Sequence, residues 1–202
     1  MPSRDRLLTS SKRLITLSKF IRLILVFAII VSALFLIWDG FLREQIELYR
    51  YPIKYSKIVE ECADEYGVPS EIVYAVIRTE SSFNKDAVSH VGAKGLMQII
   101  DDTNEWIAFV TGEEIMADRI FEPALNIKRG TWLLSYLYRE FGAWEEALAA
   151  YNAGIGRVRG WLEDPDISAD GVTLDRIPYN ETREYVRIVI ESAEKYRELY
   201  FD

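Results

Sequence analysis

An uninterrupted apolar run near the N-terminus constrains this chain more than any other feature of its sequence. Residues 23–38 read LILVFAIIVSALFLIW and contain no charged side chain. A helix of a soluble protein is usually apolar along one stripe only, whereas this run is apolar on every face. With Phe20 and Ile21 included, and Arg22 extending its charge to the headgroups, the run approaches the length of about 20 residues that spans a bilayer. The sequence therefore predicts a transmembrane anchor over residues 23–38.

The charges on either side of this run predict its orientation. Residues 1–22 carry six basic side chains and one acidic side chain, while Asp39 follows the run directly. The positive-inside rule then places residues 1–22 in the cytoplasm and the rest of the chain outside it, as a single-pass membrane protein. A cleaved signal peptide is the alternative, because residues 31–33 (VSA) resemble a cleavage site. The apolar run continues through Trp38, which favours a retained anchor.

The remaining composition excludes several classes of function. Cys62 and His90 are the single cysteine and the single histidine, so the chain lacks the ligands of a typical zinc site. Removing the basic excess of five in residues 1–22 from the formal net charge of −8 leaves −13 for the remainder. An acidic domain repels nucleic acid phosphates. We therefore expect no metal, no cofactor and no nucleic-acid partner.

The chain beyond the anchor divides into a short connection and one domain. Residues 39–54 mix charged and apolar side chains and contain Pro52, so they are predicted to form a stalk whose helix breaks at the proline. Residues 55–202 should form the globular domain. Apolar residues recur there at helical spacing, and no stretch alternates with period two. The predicted fold class is mainly α.

Glu80 is the most informative single residue of that domain. The helix predicted after Pro69 has an apolar stripe formed by Ile72, Val73, Val76 and Ile77. Glu80 lies four residues after Val76 and three after Ile77, so it projects from the same face. Desolvation of a carboxyl group raises its pKa, as a general acid near neutral pH requires. From this helix alone, a frayed end with Glu80 in solvent is the simpler interpretation.

Four motifs surround Glu80 in the sequence and change that interpretation. They cover residues 80–84 (ESSFN), 89–98 (SHVGAKGLMQ), 149–158 (AAYNAGIGRV) and 177–186 (IPYNETREYV). In this order they resemble the catalytic domain of the soluble lytic transglycosylase family, a relative of goose-type lysozyme, over about residues 55–200. The resemblance implies a lysozyme-like helical domain with a groove for a glycan strand.

The resemblance also implies roles for individual residues. Glu80 matches the single catalytic glutamate of the family. The implied substrate-binding residues are Ser89, Gln98, Tyr151, Asn152 and Glu181. The residues implied to support the site are Ser81, Gly95 and Met97. At residues 99–102 (IIDD) the chain departs from the methionine and proline that often follow the second motif in the family.

Several of these residues also have simpler interpretations. Tyr151 continues the apolar spacing of Leu148 and would pass as a core residue, although a buried hydroxyl needs a partner, for which the Glu80 carboxyl is a candidate. Glu181 lies in the first turn of the last predicted helix, where the helix dipole favours an acid. Gln98 and Asn152 would equally suit caps of chain ends.

The resemblance implies non-hydrolytic cleavage of peptidoglycan at the β-1,4 bond between N-acetylmuramic acid and N-acetylglucosamine, with a 1,6-anhydro end as product. Ordinary glycosidases use two carboxylates, but the sequence offers one well-placed carboxyl, which favours substrate-assisted chemistry. A muramidase on the same fold and a wall-binding protein without activity are the alternatives. The expected partners are peptidoglycan strands and the cytoplasmic membrane.

Overall fold

The computed structural model describes residues 4–202, except for the side chains of residues 4–21, Ile24 and Ala117. The described chain forms two compact units, which meet in sequence between Arg50 and Tyr51. The first unit consists of one helix, α1 (Arg4–Arg50). Within the described residues, one helical stretch, Leu25–Arg50, is long and apolar enough to cross a membrane. A signal sequence near an N-terminus would meet the same criterion of length and composition.

The helix α1 continues through most of the predicted stalk. Instead of a separate short helix, residues 39–50 extend α1 without interruption, and the helix ends at Arg50, before Pro52. Side chains one turn apart stabilise this extension: Arg43 pairs with Asp39 at 2.7 Å, and Arg50 pairs with Glu47 at 3.6 Å. Pairs of opposite charge at this spacing stabilise a helix.

The second unit, Tyr51–Asp202, contains seven α-helices and a short 3₁₀ turn. The helices are α2 (Ser56–Tyr66), α3 (Ser70–Ser81), α4 (Asp101–Thr111), α5 (Pro123–Phe141), α6 (Trp144–Ala153), α7 (Ile155–Leu162) and α8 (Asn180–Tyr200). Among the described residues, β pairing is limited to two isolated bridges, Val88 with Lys94 and Lys94 with Ile99. The predicted mainly α fold class is confirmed.

The first residues of this unit are fixed to its last helix. The Tyr200 hydroxyl donates a hydrogen bond of 2.7 Å to the Tyr51 carbonyl oxygen, and the Tyr196 hydroxyl donates one of 3.2 Å to the Pro52 carbonyl oxygen. The Arg78 guanidinium lies 4.3 Å from the centre of the Tyr51 ring. The compact unit consequently begins at Tyr51, four residues before the predicted domain boundary.

The helix α3 lies at the centre of the second unit. It packs against α2 and α8, while α6 packs against α5, α7 and α8. All six residues from 72 to 77 are buried, so α3 has no solvent-facing stripe over this length. A helix enclosed in this way is held firmly by packing on every side. The last turn of α3, which carries Glu80, is therefore a rigid place to hold a functional group.

Shortening a core side chain should lower the stability of this unit. Leu134 on α5 is fully buried, and we expect Leu134→Ala to lower the free energy of unfolding by about 2–5 kcal/mol because it leaves a cavity. Phe109 is 85% exposed, so Phe109→Ala should change stability by no more than about 0.5 kcal/mol. Denaturant unfolding of the detergent-solubilised chain measures both values. Equal effects of the two substitutions would contradict this description of the core.

Candidate active site

The chain turns sharply at the end of α3, directly after Glu80. Ser82 and Phe83 both have left-handed backbone conformations, with φ of 51° and 64°. Such angles are uncommon for residues other than glycine, and a bulky side chain adopts them only when its surroundings compensate. The Phe83 ring is buried in the core and 6.5 Å from the Tyr74 ring. Packing of Phe83 thus stops α3 and keeps Glu80 in its last turn.

The Glu80 carboxyl group faces the interior of the unit and is partly buried. The Tyr185 hydroxyl, from α8, donates a hydrogen bond of 2.8 Å to Glu80 Oε1. Desolvation raises the pKa of Glu80 from 4.5 to about 7, and the hydrogen bond from Tyr185 acts in the opposite direction. Both protonation states of this carboxyl are therefore populated near neutral pH, which suits a group that donates a proton and later accepts one.

The tyrosine that contacts Glu80 differs from the one suggested by the sequence. The Tyr151 hydroxyl donates its hydrogen bond to the Met97 carbonyl oxygen, at 2.7 Å, and not to Glu80. Burial and the nearby Glu80 charge raise the pKa values of Tyr151 and Tyr185 well above 10, so both phenols remain hydrogen-bond donors. Tyr185 shares the helical spacing of Val189 and Tyr196, so it too would pass as a core residue. Its position in the fourth motif, four residues after Glu181, was the sequence feature that could have indicated a role at the site.

The turn formed by residues 95–98 is bonded to Ser81, next to Glu80, and to Tyr151. Gly95 has φ of +77°, and a methyl group at this position would overlap the Asn126 amide, so both angle and space require glycine. Gln98 is also left-handed, with φ of 50°. Its side-chain amide donates to the Gly95 carbonyl oxygen at 2.8 Å and to the Ala87 carbonyl oxygen at 3.2 Å. In this structure Gln98 therefore stabilises the turn.

Asn126 of α5 holds that turn from the inside, a role that sequence reasoning missed. Its side chain is fully buried, and its oxygen accepts a hydrogen bond of 2.7 Å from the Met97 N–H. Its nitrogen donates to the carbonyl oxygens of Lys94 and Ile120, both at 2.9 Å. The sequence feature that could have indicated this role is a polar residue within a long amphipathic helix, because a buried amide needs hydrogen-bond partners.

Ser81 links the turn to the helix that carries Glu80. Its hydroxyl lies 2.8 Å from the Leu96 carbonyl oxygen and 3.1 Å from the Ile77 carbonyl oxygen. Together with the bond from Tyr151 to Met97, this contact connects α3, the turn and α6. The structure thus brings together six of the residues named from the sequence: Glu80, Ser81, Gly95, Met97, Gln98 and Tyr151.

The side chains of the other three residues named from the sequence make no hydrogen bond to these six residues. The Ser89 hydroxyl accepts a bond of 3.0 Å from the Ala93 N–H within its own loop. Asn152 is exposed, and its side-chain oxygen accepts a bond of 2.8 Å from the Thr182 hydroxyl, which joins the end of α6 to the start of α8. Glu181 is exposed one turn before Tyr185. Ser89, Asn152 and Glu181 remain predicted substrate contacts.

The described side chains show no arrangement typical of a metal centre. No three of their histidine, cysteine, aspartate and glutamate groups converge as metal ligands would. Glu80 has no carboxylate among the groups that shift its pKa. The site contains the Glu80 carboxyl group in a desolvated and hydrogen-bonded environment.

Comparison with protein families finds a match to most of the unit that contains this site. The model of the transglycosylase SLT domain matches residues 57–170. The chain is 36% identical over 152 residues to the soluble lytic murein transglycosylase of Escherichia coli K12, a match that covers 73% of this chain and 24% of that protein. It is 32% identical over 158 residues to the membrane-bound lytic murein transglycosylase C of Salmonella typhimurium, covering 73% and 44% of the two proteins.

Solved structures show the same likeness. The 70 kDa soluble lytic transglycosylase of Escherichia coli matches with a TM-score of 0.69 and 31% identity, over 77% of this chain and 26% of that chain. An inactive mutant of the lytic transglycosylase Slt from Pseudomonas aeruginosa matches with a TM-score of 0.65 and 32% identity, over 75% and 25%. The chain thus spans a quarter to less than half of these relatives. The lytic transglycosylase fold predicted from the motifs is confirmed.

The raised pKa of Glu80 predicts how stability depends on pH. The unfolded chain releases this proton near pH 4.5, but the folded chain keeps it until about pH 7. Below pH 4.5 the carboxyl is protonated in both states, so its titration does not lower the free energy of unfolding. Above pH 7 the raised pKa lowers the free energy of unfolding by about 3 kcal/mol. The Glu80→Gln side chain does not titrate. We therefore expect the free energy of unfolding of this variant, relative to that of the wild type, to rise by this amount between pH 4.5 and 7. Urea unfolding across that window measures the difference, and a constant difference would refute the shift.

Asn126→Asp tests the support of the turn. The substitution keeps an oxygen for the Met97 N–H but places a second oxygen against the carbonyl oxygens of Lys94 and Ile120. We expect a loss of about 3–5 kcal/mol in the free energy of unfolding, because buried carbonyls lose their donor and a charge is buried. The control is Asn84→Asp, since Asn84 is exposed and uses only its oxygen, toward the Asp86 N–H. A similar effect of both substitutions would argue against the role of Asn126.

Proposed function

Because this chain belongs to the transglycosylase SLT domain family, we propose that it is a peptidoglycan lytic transglycosylase. It cleaves the β-1,4 bond between N-acetylmuramic acid and N-acetylglucosamine without water and leaves a 1,6-anhydro end. The observation that carries this proposal is the Glu80 carboxyl, whose pKa burial raises to about 7. The relatives named above are lytic murein transglycosylases, which supports the same activity.

In the first step, protonated Glu80 donates its proton to the glycosidic oxygen. The bond from that oxygen to C1 of the muramic sugar breaks, and the N-acetylglucosamine chain leaves with a hydroxyl group. The acetamido oxygen of the muramic sugar stabilises the positive charge that develops at C1. In the second step, ionised Glu80 removes the proton from the C6 hydroxyl of the same sugar, and O6 bonds to C1. Glu80 is protonated again, so one group serves as acid and then as base.

The surroundings of Glu80 favour such a cycle. Desolvation stabilises the protonated form that begins the reaction, whereas the hydrogen bond from Tyr185 stabilises the ionised form that appears after the first step. A carboxyl group with a pKa near the working pH changes state in either direction at little cost. Tyr185 is therefore proposed as a positioning residue for the catalytic carboxyl.

No carboxylate is among the groups that shift the pKa of Glu80, which favours transglycosylation over hydrolysis with a second catalytic carboxylate. Glycosidases that use water or a covalent intermediate usually hold a second carboxylate about 5–9.5 Å from the acid. Here, the neighbouring groups that interact with Glu80 electrostatically are the phenols of Tyr151 and Tyr185. The acetamido group of the substrate supplies the assistance that a second carboxylate would give.

The predicted contacts to the glycan remain part of this proposal. Ser89, Gln98, Tyr151, Asn152 and Glu181 are proposed to bind the sugars on either side of the scissile bond. Ser81, Gly95 and Met97 are proposed to keep the turn in place. The hydrogen bonds that join Ser81 to Leu96 and Tyr151 to Met97 support this second role.

We also propose that residues 23–38 anchor the protein in the cytoplasmic membrane, with residues 1–22 inside and the catalytic unit outside. The apolar side chains described between Leu25 and Trp38 are exposed on all sides of α1, which suits lipid. The basic residues before them suit the cytoplasmic side. A relative named as membrane-bound supports the attachment.

Mass spectrometry of peptidoglycan digested with the full chain in detergent tests the activity. We expect 1,6-anhydro products from the wild type and from Glu60→Gln, a control at an exposed glutamate of α2, and none from Glu80→Gln. Products with reducing ends would identify a muramidase instead. Equal cleavage by the wild type and Glu80→Gln would remove Glu80 from the mechanism.

The pH dependence of the rate tests the function of Tyr185. Since protonated Glu80 begins the reaction, kcat/KM should fall as pH rises through about 7. Tyr185→Phe removes the hydrogen bond that lowers this pKa, so the fall should move to higher pH. Tyr138→Phe, which changes an exposed phenol on α5, should leave the profile in place. An unchanged or more acidic profile for Tyr185→Phe would contradict the proposed role.

A further inference from the structure

The segment that leads into the second unit, residues 51–54, lies against the helix that carries Glu80. We call it the entry segment. The Arg78 guanidinium, two residues before Glu80, is 4.3 Å from the centre of the Tyr51 ring. A cation at this distance is attracted by the electrons of an aromatic face. The matched family domain begins at residue 57, so this contact comes from a part of the chain that the family match does not include.

Arg78 also connects α3 to α8. Its Nη1 donates a hydrogen bond of 3.2 Å to Ser192 Oγ, and Ser192 is buried in the interior. Its carbonyl oxygen accepts a bond of 3.0 Å from the Ser82 N–H, which closes the last turn of α3 around Glu80. One residue therefore joins the entry segment, the turn that holds Glu80 and the neighbouring helix.

Arg78 belongs to a series of contacts that sets how α3 and α8 lie against each other. The side-chain pairs, in order along α3, are Glu71 with Arg197 at 3.1 Å, Arg78 with Ser192, and Glu80 with Tyr185. The positions rise along α3 and fall along α8, so the two helices are antiparallel. Ser192 and Tyr185 are seven residues apart, which is nearly two full turns, and hence they share one face of α8. A displacement of Arg78 would therefore be transmitted to the next contact, at Glu80.

The entry segment is itself held in place by α8. The Tyr51 ring meets the buried Tyr196 ring edge to face, with centres 5.5 Å apart. The Tyr196 and Tyr200 hydroxyls bond to carbonyl oxygens of the same segment. Tyr51 thus contacts Arg78 of α3 and Tyr196 of α8 at once. Because an aromatic ring is rigid and large, its packing limits how far these two helices can move relative to each other at this point.

A second contact of the entry segment reaches the other side of the same turn. The Lys54 ammonium lies 5.8 Å from the centre of the Phe83 ring, within the range of a cation–π contact. Phe83 is buried, and its left-handed backbone ends α3 after Glu80. The entry segment therefore contacts residues that precede Glu80 and residues that follow it.

We propose that Tyr51, acting through Arg78, is a positioning residue for the Glu80 carboxyl. It keeps α3 at the distance from α8 at which the Tyr185 hydroxyl bonds to that carboxyl. This inference rests on the proposed function, because it takes Glu80 as the catalytic group. The entry segment is then a part of the active enzyme. Removal of the chain up to residue 54 would weaken catalysis although it spares every residue matched to the family domain.

Titration of Glu80 by ¹³C NMR in the full chain tests this proposal without substrate. Tyr51→Leu removes the ring but keeps an apolar side chain. It should weaken the bond from Tyr185, so the Glu80 midpoint should rise by about 0.5 pH unit, as expected in direction for Tyr185→Phe. In a chain that already carries Tyr185→Phe, Tyr51→Leu should add no shift. Tyr51→Phe keeps the ring and should restore the midpoint of the wild type.

The interpretation of this midpoint depends on which titratable groups interact with Glu80. These are the phenols of Tyr151, from α6, and Tyr185, from α8. The pKa values of both lie well above 10, so both stay neutral through the titration. A change in the midpoint therefore reports the hydrogen bond and the desolvation of Glu80, and the Tyr185→Phe background separates these two causes.

Tyr49 and Ser192 provide a matched control and a second variant. Tyr49 lies two residues before Tyr51 and is 87% exposed, so Tyr49→Leu should leave the midpoint unchanged. Ser192→Ala removes the acceptor of the Arg78 bond and suits a helix. It should raise the midpoint less than Tyr51→Leu does, and it decides the question if Tyr51→Leu does not fold. An unchanged or lower midpoint, or an equal shift with and without Tyr185→Phe, would overturn the proposal.

Rates of release of 1,6-anhydro products distinguish positioning from substrate contact. Tyr51→Leu should lower kcat by about threefold or more, because a displaced catalytic group slows the chemical step. KM should stay within about twofold of the wild type. A raised KM with unchanged kcat would contradict the proposal. A wild type that forms no anhydro products would refute the proposed function instead, and the titration would still test the role of Tyr51.

Discussion

The hydrogen bond between Tyr185 and Glu80 joins the two helices on which the candidate site depends. The carboxyl lies at the end of α3, whose preceding residues are buried on every side, and the phenol comes from α8, which packs against α3. Desolvation pushes the pKa of Glu80 upward, and the hydrogen bond limits that rise to about 7. Desolvation favours the protonated carboxyl, whereas the hydrogen bond favours the ionised one. Their balance gives a single group both of the roles required by the proposed reaction.

A second set of contacts keeps the surroundings of that carboxyl in place. Asn126 satisfies three backbone groups from inside the fold, and the turn that it holds presents its carbonyl oxygens to Ser81 and Tyr151. These residues come from four separate parts of the chain. Glycine at position 95 is required because the Asn126 amide occupies the space of a side chain. The rigidity of the site is therefore produced by tertiary contacts with α5, a helix that carries none of the proposed catalytic groups.

Local patterns in the sequence predicted the parts of the structure that depend on local forces. Helical spacing predicted the mainly α fold, and the order of four motifs predicted the family and singled out Glu80. Contacts between distant segments were not predictable in the same way. Tyr151 and Tyr185 both fit apolar spacing, so the sequence could not decide which phenol bonds to Glu80. The extension of α1 through residue 50 was also missed, because the charged residues after the apolar run suggested a stalk, whereas they form ion pairs one turn apart.

Titration of the Glu80 carboxyl in the full chain tests whether burial raises its pKa. The carboxyl carbon of Glu80 is identified by ¹³C NMR as the signal that disappears in Glu80→Gln. We expect a midpoint near pH 7 for the wild type, well above the value of about 4.3 for an exposed glutamate. A midpoint close to the exposed value would mean that the carboxyl is solvated and ionised at neutral pH. The proposed acid and base cycle would then have no physical basis.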